Sequence, residues 1–343
     1  MALKRQKNRR LLVIVLAGLL TIAIAPAIVR ASTEPRDALS PEIEKLYASG
    51  FYDRAAELLH AAVERNTNDA TLYYWLGRCY FETQDFDHAI SSWERAVALD
   101  SARSEYHDWL GRAYGLKADE DSHSKMASAL SLARRTHHEF EVAVQLDGKN
   151  VKAQRDLIAF MASAPSNLGG GEDRAMAQIR TLSSMDSLEG MLALADLYAT
   201  RKKFEQASQK YQEILKSAPN RTDAYFETAD YYRDRADSEH LQQTVDGALK
   251  ITHSDRRLNY YVGVALVLAK KDLETAEKDL RTYIDTVPEN SELPPHVSAY
   301  EYLGQLYEYE GHPNLAVAQY NAALALDSHD KAAREALKRL HNN

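Results

Sequence analysis

The stretch YYWLGRCY (residues 73–80), followed by Ala89, Trp93 and Ala96, decides the fold. The same order of small, aromatic and bulky residues returns along most of the chain at about 34 residues. A fixed period of this length indicates stacked helical hairpins, in which each unit packs on its neighbours. The sequence therefore predicts a repeat array, a surface for gripping another molecule rather than a pocket for chemistry.

The composition fits long helices without cross-links. The chain has 343 residues, 45% of them hydrophobic and 27% charged, with only 14 glycines and 9 prolines to interrupt helices. Cys79 is the single cysteine, so no internal disulfide and no zinc site built from cysteines alone is possible. Its place in a repeat predicts a small buried residue.

The first thirty-one residues differ from the rest. An apolar run over residues 11–29 follows a basic head made of Lys4, Arg5, Lys7, Arg9 and Arg10. Small residues before Ser32, or at residues 25–27, suit a signal peptidase, so residues 1–31 are expected to be a secretory signal peptide. The alternative is an uncleaved membrane anchor, because 19 apolar residues just span a bilayer. Either reading predicts a periplasmic or otherwise extracytoplasmic protein, held at the inner membrane if the segment is uncleaved.

The charge balance limits the partners. The formal net charge is −8, and removal of residues 1–31 would take away six basic residues and no acidic one. An acidic remainder argues against nucleic acid and against anionic lipid surfaces. Contact with a membrane is therefore expected only through the N-terminal segment, and only if that segment is not cleaved.

Small and bulky residues recur at fixed positions of each unit. The eighth residue of the first helix is small, and the second helix alternates small, bulky and small residues. The last unit repeats the second with Leu303, Gly304, Tyr307, Ala316, Tyr320 and Ala323. This pattern resembles the tetratricopeptide repeat (TPR) family from about residue 41 to the end. The resemblance implies an all-α, right-handed superhelical solenoid of about eight TPR-like helical hairpins plus a C-terminal cap helix.

Three insertions modify the expected array. We expect a linker at residues 32–40 and a solenoid at 41–343, with extended hairpins near 117–135 and 164–174 and a polar insert at 289–295. Residues 111–115, 140–144 and 164–171 also look similar to exported bacterial TPR proteins of unassigned role. That narrower resemblance favours export and implies no chemistry.

No motif predicts catalysis, a metal or a cofactor. Gly169-Gly170-Gly171 is not a phosphate-binding loop, because no strand precedes it and no Lys-Ser or Lys-Thr follows. His137 and Glu141 share a helical face, but two ligands do not make a metal site. We therefore expect a protein that is not an enzyme, with the glycines forming a hairpin turn.

The concave surface is the expected binding site, since the first helix of each hairpin lines it. Counting along those helices gives as candidates Tyr74, Arg78, Phe81, Asp108, Arg112, Asp196, Phe226, Asp230, Arg233, Tyr260, Glu301, Gln305 and Tyr309. Arginines lie toward the N-terminal part, and carboxylates alternate with aromatic residues toward the C-terminal part. Such a groove suits an extended or helical peptide oriented by charge.

The expected function is an exported scaffold that binds a protein or peptide, with a possible role in assembling an envelope complex. Two alternatives stay open. One is a membrane-anchored structural spacer, and the other is a glycan- or peptidoglycan-binding module that would use Tyr74, Phe81, Phe226 and Tyr260. The sequence leaves the oligomeric state and the identity of the partner open.

Overall fold

A computed structural model of the chain describes residues 39–122, 124–289, 292–328 and 330–341. These residues form helices and one short 3₁₀ turn (Ser166–Leu168), with no strand among them. The helices are α1 (Pro41–Ala48), α2 (Tyr52–Arg65), α3 (Ala70–Glu82), α4 (Phe86–Leu99), α5 (Ser104–Asp121), α6 (Met126–Leu146), α7 (Val151–Ser163), α8 (Glu172–Met185), α9 (Ser187–Thr200), α10 (Phe204–Ser217), α11 (Thr222–Asp234), α12 (Ser238–Leu249), α13 (Arg257–Ala269), α14 (Leu273–Thr286), α15 (His296–Tyr309), α16 (Pro313–Leu326) and α17 (Lys331–His341).

Consecutive helices pair into eight hairpins, from α1–α2 to α15–α16, and α17 packs on the last of them. The expected all-α solenoid with a C-terminal cap helix is thus confirmed. The turns inside the hairpins repeat as well. A residue with a positive φ angle follows the first helix in three successive hairpins, namely Lys202, Ala236 and Lys270, which are spaced one repeat apart. This backbone conformation ends the helix.

A small residue near the middle of α3 and of α15 marks the place where the second helix of the hairpin crosses. A Cβ atom added at Gly77 would lie 2.7 Å from the Trp93 ring, and one at Gly304 would lie 2.5 Å from the Tyr320 ring. Such distances are far below van der Waals contact, so only glycine permits the crossing. The spacing of small and bulky residues in the sequence is therefore a record of helix contacts.

The third and fourth hairpins depart from the standard length. Helices α5 and α6 have 18 and 21 residues, against 13 and 14 in α3 and α4. The lengthening expected near residues 117–135 falls on the end of α5 and the start of α6. The segment expected near 164–174 contains the 3₁₀ turn, and Gly169 and Gly171 have the positive φ angles of 99° and 140° that follow it.

The expectations for the N-terminus, a signal peptide or anchor at 1–31 and a linker at 32–40, lie almost wholly outside the described residues. Within the described ranges, none of the helices combines the length and the apolar character needed to cross a membrane.

The loop between α14 and α15 runs back to the N-terminal hairpins. Its described residues, 288–289 and 292–295, are called the return segment below. The Tyr52 hydroxyl donates to the Glu289 carbonyl oxygen at 2.5 Å, across 237 residues of sequence. The Lys152 ammonium lies 2.5 Å from the Glu292 carboxylate. A nearest-neighbour array thus acquires contacts between distant units.

Candidate partner-binding surface

Three cations surround the indole ring of Trp109 on α5. The Arg78 Cζ, Arg112 Cζ and Lys152 Nζ atoms lie 3.9, 4.8 and 4.3 Å from the ring centroid. The negative face of an indole attracts cations, and the ring is almost fully buried at 1% exposure. Arg78, Arg112 and Lys152, which come from α3, α5 and α7, are called the basic cradle below.

Packing behind the cradle fixes the position of Trp109. Its ring stacks on Trp93 at a centroid distance of 5.6 Å and meets Phe81 edge-on at 5.3 Å. Trp93 is fully buried, and its indole N–H donates to the Tyr74 carbonyl oxygen at 3.0 Å. The cradle therefore rests on a rigid aromatic platform built by α3, α4 and α5.

Two of the cradle's cations have carboxylate partners nearby. An Arg112 guanidinium nitrogen lies 2.5 Å from Asp156, and another lies 3.5 Å from Asp108. Burial, together with the carboxylate of Asp156, raises the pKa of Asp108. Arg78 lies 3.7 Å from Glu82 and donates to the Tyr74 hydroxyl at 3.3 Å, but its buried Nε has no partner among the described residues.

Glu292 of the return segment completes the cradle. Burial acts to raise the pKa of this carboxyl, but the hydrogen bond from Lys152 and the charges of Arg78 and Arg112 outweigh it, so the pKa is lowered. The cradle is therefore electrostatically suited to a carboxylate, and besides those of its own helices it holds Glu292 from a distant loop.

Acidic residues predominate farther along the array, on α9 and α11, the first helices of the next two hairpins. The Arg155 guanidinium on α7 lies 3.0 Å from Glu189, 2.7 Å from Asp196 and 2.7 Å from Glu227. The Tyr211 hydroxyl also donates to Asp196. Burial raises the pKa of Glu227 despite the guanidinium. One cation thus links α7, α9 and α11 through three carboxylates, here called the central cluster.

Aromatic rings and ion pairs continue along α11 and α13. Asp230 pairs with Arg233 and accepts a hydrogen bond from the Tyr261 hydroxyl at 2.8 Å. The hydroxyls of Tyr260 and Ser298 are 2.7 Å apart. Phe226 stacks on Tyr261 with ring centroids 5.2 Å apart and also lines a cleft with residues 292–295 of the return segment.

Glu301, Gln305 and Tyr309 lie apart from these clusters. They line a cleft of about 450 Å³ between α15 and the cap helix α17. Burial and the carboxylates of Asp330 and Asp327 raise the pKa of Glu301 to about 7. These three residues therefore face the cap helix rather than the basic cradle.

The candidates from the sequence fall into distinct groups in the structure. Arg78 and Arg112 meet in the basic cradle with Asp108 beside them, Asp196 joins the central cluster, and Asp230 pairs with Arg233. The aromatic candidates Tyr74, Phe81, Phe226 and Tyr260 are buried among neighbouring rings. Whether these residues contact a partner stays a prediction.

Sequence reasoning missed four charged residues, namely Lys152, Arg155, Glu227 and Glu292. Lys152 and Arg155 are the second and fifth residues of α7, and the fifth residue of α3 is the concave candidate Tyr74. Counting along α7 in the same way as along the other first helices would have found them. Among the described residues, no group of three or more His, Cys, Asp or Glu side chains is arranged to hold a metal ion.

Family models and solved structures give the proteins to which this chain is similar. Models described as tetratricopeptide repeats match residues 43–108 and 297–330, while no curated protein matches the chain. A thermophilic TPR protein of Thermus thermophilus is 21% identical, with 55% of this chain and 95% of its own covered and a TM-score of 0.45. A tetratricopeptide repeat protein of Parabacteroides merdae is 13% identical, with 88% and 96% covered and a TM-score of 0.47.

YrrB, described as a TPR protein with an unusual peptide-binding site, is 17% identical, with 63% of this chain and 99% of its own covered and a TM-score of 0.35. These likenesses say nothing about a partner of this chain. The repeat models match at both ends of an array of eight helical hairpins, a fold that supports protein–protein interaction scaffolds. The chain contains tetratricopeptide repeats at residues 43–108 and 297–330.

Proposed function

We propose that this protein is a scaffold that binds an extended segment of another protein along its first helices. The observation that supports this most is the change of charge along one surface, from the basic cradle on α3, α5 and α7 to the central cluster on α7, α9 and α11. A bound segment with charges of both signs would be held in one direction only.

The proposed setting is the cell envelope. The basic head and apolar run of residues 1–31 support export to the periplasm, with retention at the inner membrane if that segment stays uncleaved. In that compartment a scaffold of this kind would help to assemble an envelope complex.

The proposal is tested by crosslinking pull-down of the tagged chain from envelope extract, with partners identified by mass spectrometry. The informative variant is Arg112→Gln with Lys152→Gln, which neutralises two cations of the cradle. Its matched control is Arg134→Gln with Arg180→Gln, which removes two exposed cations from the second helices α6 and α8. A partner lost only in the cradle variant supports the proposal.

Retention of every partner by the cradle variant would contradict the proposal and favour the structural spacer. The glycan-binding alternative is less favoured, because Tyr74, Phe81, Phe226 and Tyr260 are buried and present little ring surface to a sugar. Binding of the chain to cell-wall fragments would support the glycan-binding alternative instead.

A further inference from the structure

The return segment contacts the basic cradle through its Glu292 side chain, and its backbone is held outside the cradle on either side. Its Glu289 carbonyl accepts a hydrogen bond from Tyr52, and its Glu292 carboxylate pairs with Lys152. Its Pro294 carbonyl accepts from the Tyr283 hydroxyl at 2.5 Å, and Pro295 has the extended φ and ψ angles of −71° and 143°. Backbone carbonyls and a carboxylate are groups that any extended acidic segment offers.

The chemistry of the cradle selects for a carboxylate. Three cations converge on one indole ring, and they lower the pKa of the carboxyl placed among them. The two nearer carboxylates, Asp108 and Asp156, engage Arg112, while Lys152 takes its carboxylate from a segment 140 residues away. Lys152 is thus the cation of the cradle whose carboxylate comes from outside the neighbouring helices.

The hold on Glu292 is weak enough to be released. The side chains of Lys152 and Glu292 are 40% and 49% exposed, so water and salt screen their attraction. The guanidinium of Arg78 also keeps one buried N–H without a partner among the described residues, and a different carboxylate could use it.

We propose that the basic cradle is the anchoring subsite for a carboxylate of an extended acidic partner peptide, and that Glu292 holds this subsite while no partner is bound. This inference rests on the proposed peptide-binding function and adds the chemistry of the partner. The return segment acts as a built-in competitor, since a partner must displace Glu292 to reach Lys152.

The test measures binding of a fluorescein-labelled peptide, with the sequence of residues 288–295 (PENSELPP), to the purified full chain by fluorescence anisotropy. Glu292→Gln removes the competing charge and should tighten binding roughly two- to five-fold, the factor that corresponds to an exposed ion pair. Glu64→Gln, an exposed glutamate on α2, is the matched control and should change nothing. Added salt should weaken binding.

Two further comparisons assign the effect to the cradle. A peptide with both glutamates replaced by glutamine should show no gain with the Glu292→Gln chain. Adding Lys152→Gln to Glu292→Gln should also cancel the gain. Equal binding of the acidic peptide by the Glu292→Gln and Glu64→Gln chains, or no binding by any chain, would overturn the inference.

That failure is distinguishable from failure of the proposed function. If the peptide test fails while the crosslinked partner is still lost from the Arg112→Gln, Lys152→Gln chain, the scaffold stands and its partner is not an acidic segment of this kind. Glu292 would then be a brace between distant hairpins. If the crosslinked partner is retained as well, both proposals fall together.

Discussion

The basic cradle and the central cluster are built on neighbouring first helices, yet they balance their charges in opposite ways. In the central cluster, Arg155 is neutralised by three carboxylates from α9 and α11, the next two first helices. In the cradle, Lys152 pairs with Glu292, which arrives from a loop near the other end of the chain. We therefore expect the ion pairs of Arg155 to hold adjacent repeats together. The Lys152–Glu292 pair, whose carboxylate comes from a distant loop, is the one that we expect a partner to replace.

The largest expected effect tests the structural half of this comparison. Arg155→Met should cost about 2–3 kcal/mol in the free energy of unfolding, because it leaves three facing carboxylates, 17–43% exposed, without a cation. Urea unfolding followed by circular dichroism measures it, with Arg180→Met, an exposed arginine on α8, as the control. Equal stability of the two variants would show that the central cluster is not a structural link.

The same variant has an expected pH dependence. Burial raises the pKa of Glu227 in the folded chain even with Arg155 present. A carboxyl whose pKa is higher in the folded than in the unfolded chain favours the folded chain only while it is protonated. Its contribution to the free energy of unfolding is complete below the unfolded pKa and is lost as the pH rises through the folded pKa. The stability loss of Arg155→Met should therefore grow from pH 4 to pH 7. A loss that is constant over this range would contradict the electrostatic explanation.

The next effect tests the platform under the cradle. Gly77→Ala places a methyl group 2.7 Å from the Trp93 ring and should cost about 1–3 kcal/mol by overpacking. Trp93 stacks on Trp109, so tryptophan fluorescence should shift as well. The control is Gly115→Ala on α5, where a methyl group meets Thr136 at an ordinary 3.6 Å and should be neutral or stabilising by up to about 1 kcal/mol. Equal effects of the two substitutions would disprove the assigned crossing.

A smaller effect tests the hold on the return segment. Tyr52→Phe removes the hydrogen bond to the Glu289 carbonyl and should cost about 0.5–1.5 kcal/mol. Thermal unfolding measures it against Tyr198→Phe, a half-buried tyrosine of α9. Amide hydrogen exchange at Glu292 and Leu293, which carry backbone N–H groups, should also speed up in Tyr52→Phe alone. No change in that exchange would mean that Tyr52 does not hold the segment.

The smallest expected effect concerns the ion pair between Glu292 and Lys152 in the basic cradle. Glu292→Gln should cost less than about 1 kcal/mol, because the ion pair that it breaks is half exposed, and the cost should vanish at high salt. Thermal unfolding at low and high salt measures it. A loss as large as that of Arg155→Met would place Glu292 among the structural carboxylates and remove the difference between the two regions.

The sequence alone predicted the hairpins because their register is recorded in local contacts. Gly77 and Trp93 are close in sequence and touch in the fold, so their sizes must match. Arg155 was missed because its unit departs from this pattern of residue sizes. The eighth residue of α7 is Ile158, where α3 has Gly77, so the fourth unit lacks the small residue that marks the best-matched unit.

The partner of Lys152 could not be predicted from any local pattern. The polar insert at 289–295 was recognised, but its destination depends on the small rotations that accumulate over the hairpins between α3 and α14. The burial of Phe226 and Tyr260 also could not be predicted from a local pattern. Their positions mark them as concave, but rings from adjacent helices cover them, and only the packed array shows that.

The distant origin of Glu292 also has a consequence for a chain that is still being made. Synthesis starts at the N-terminus, and N-terminal units fold first. The cradle is complete with α7, but Glu292 follows 140 residues after Lys152, which takes roughly 7–28 s at about 5–20 residues per second. The nascent chain therefore offers its cradle before it can fill it, and the order of synthesis gives an external acidic segment the first opportunity to bind.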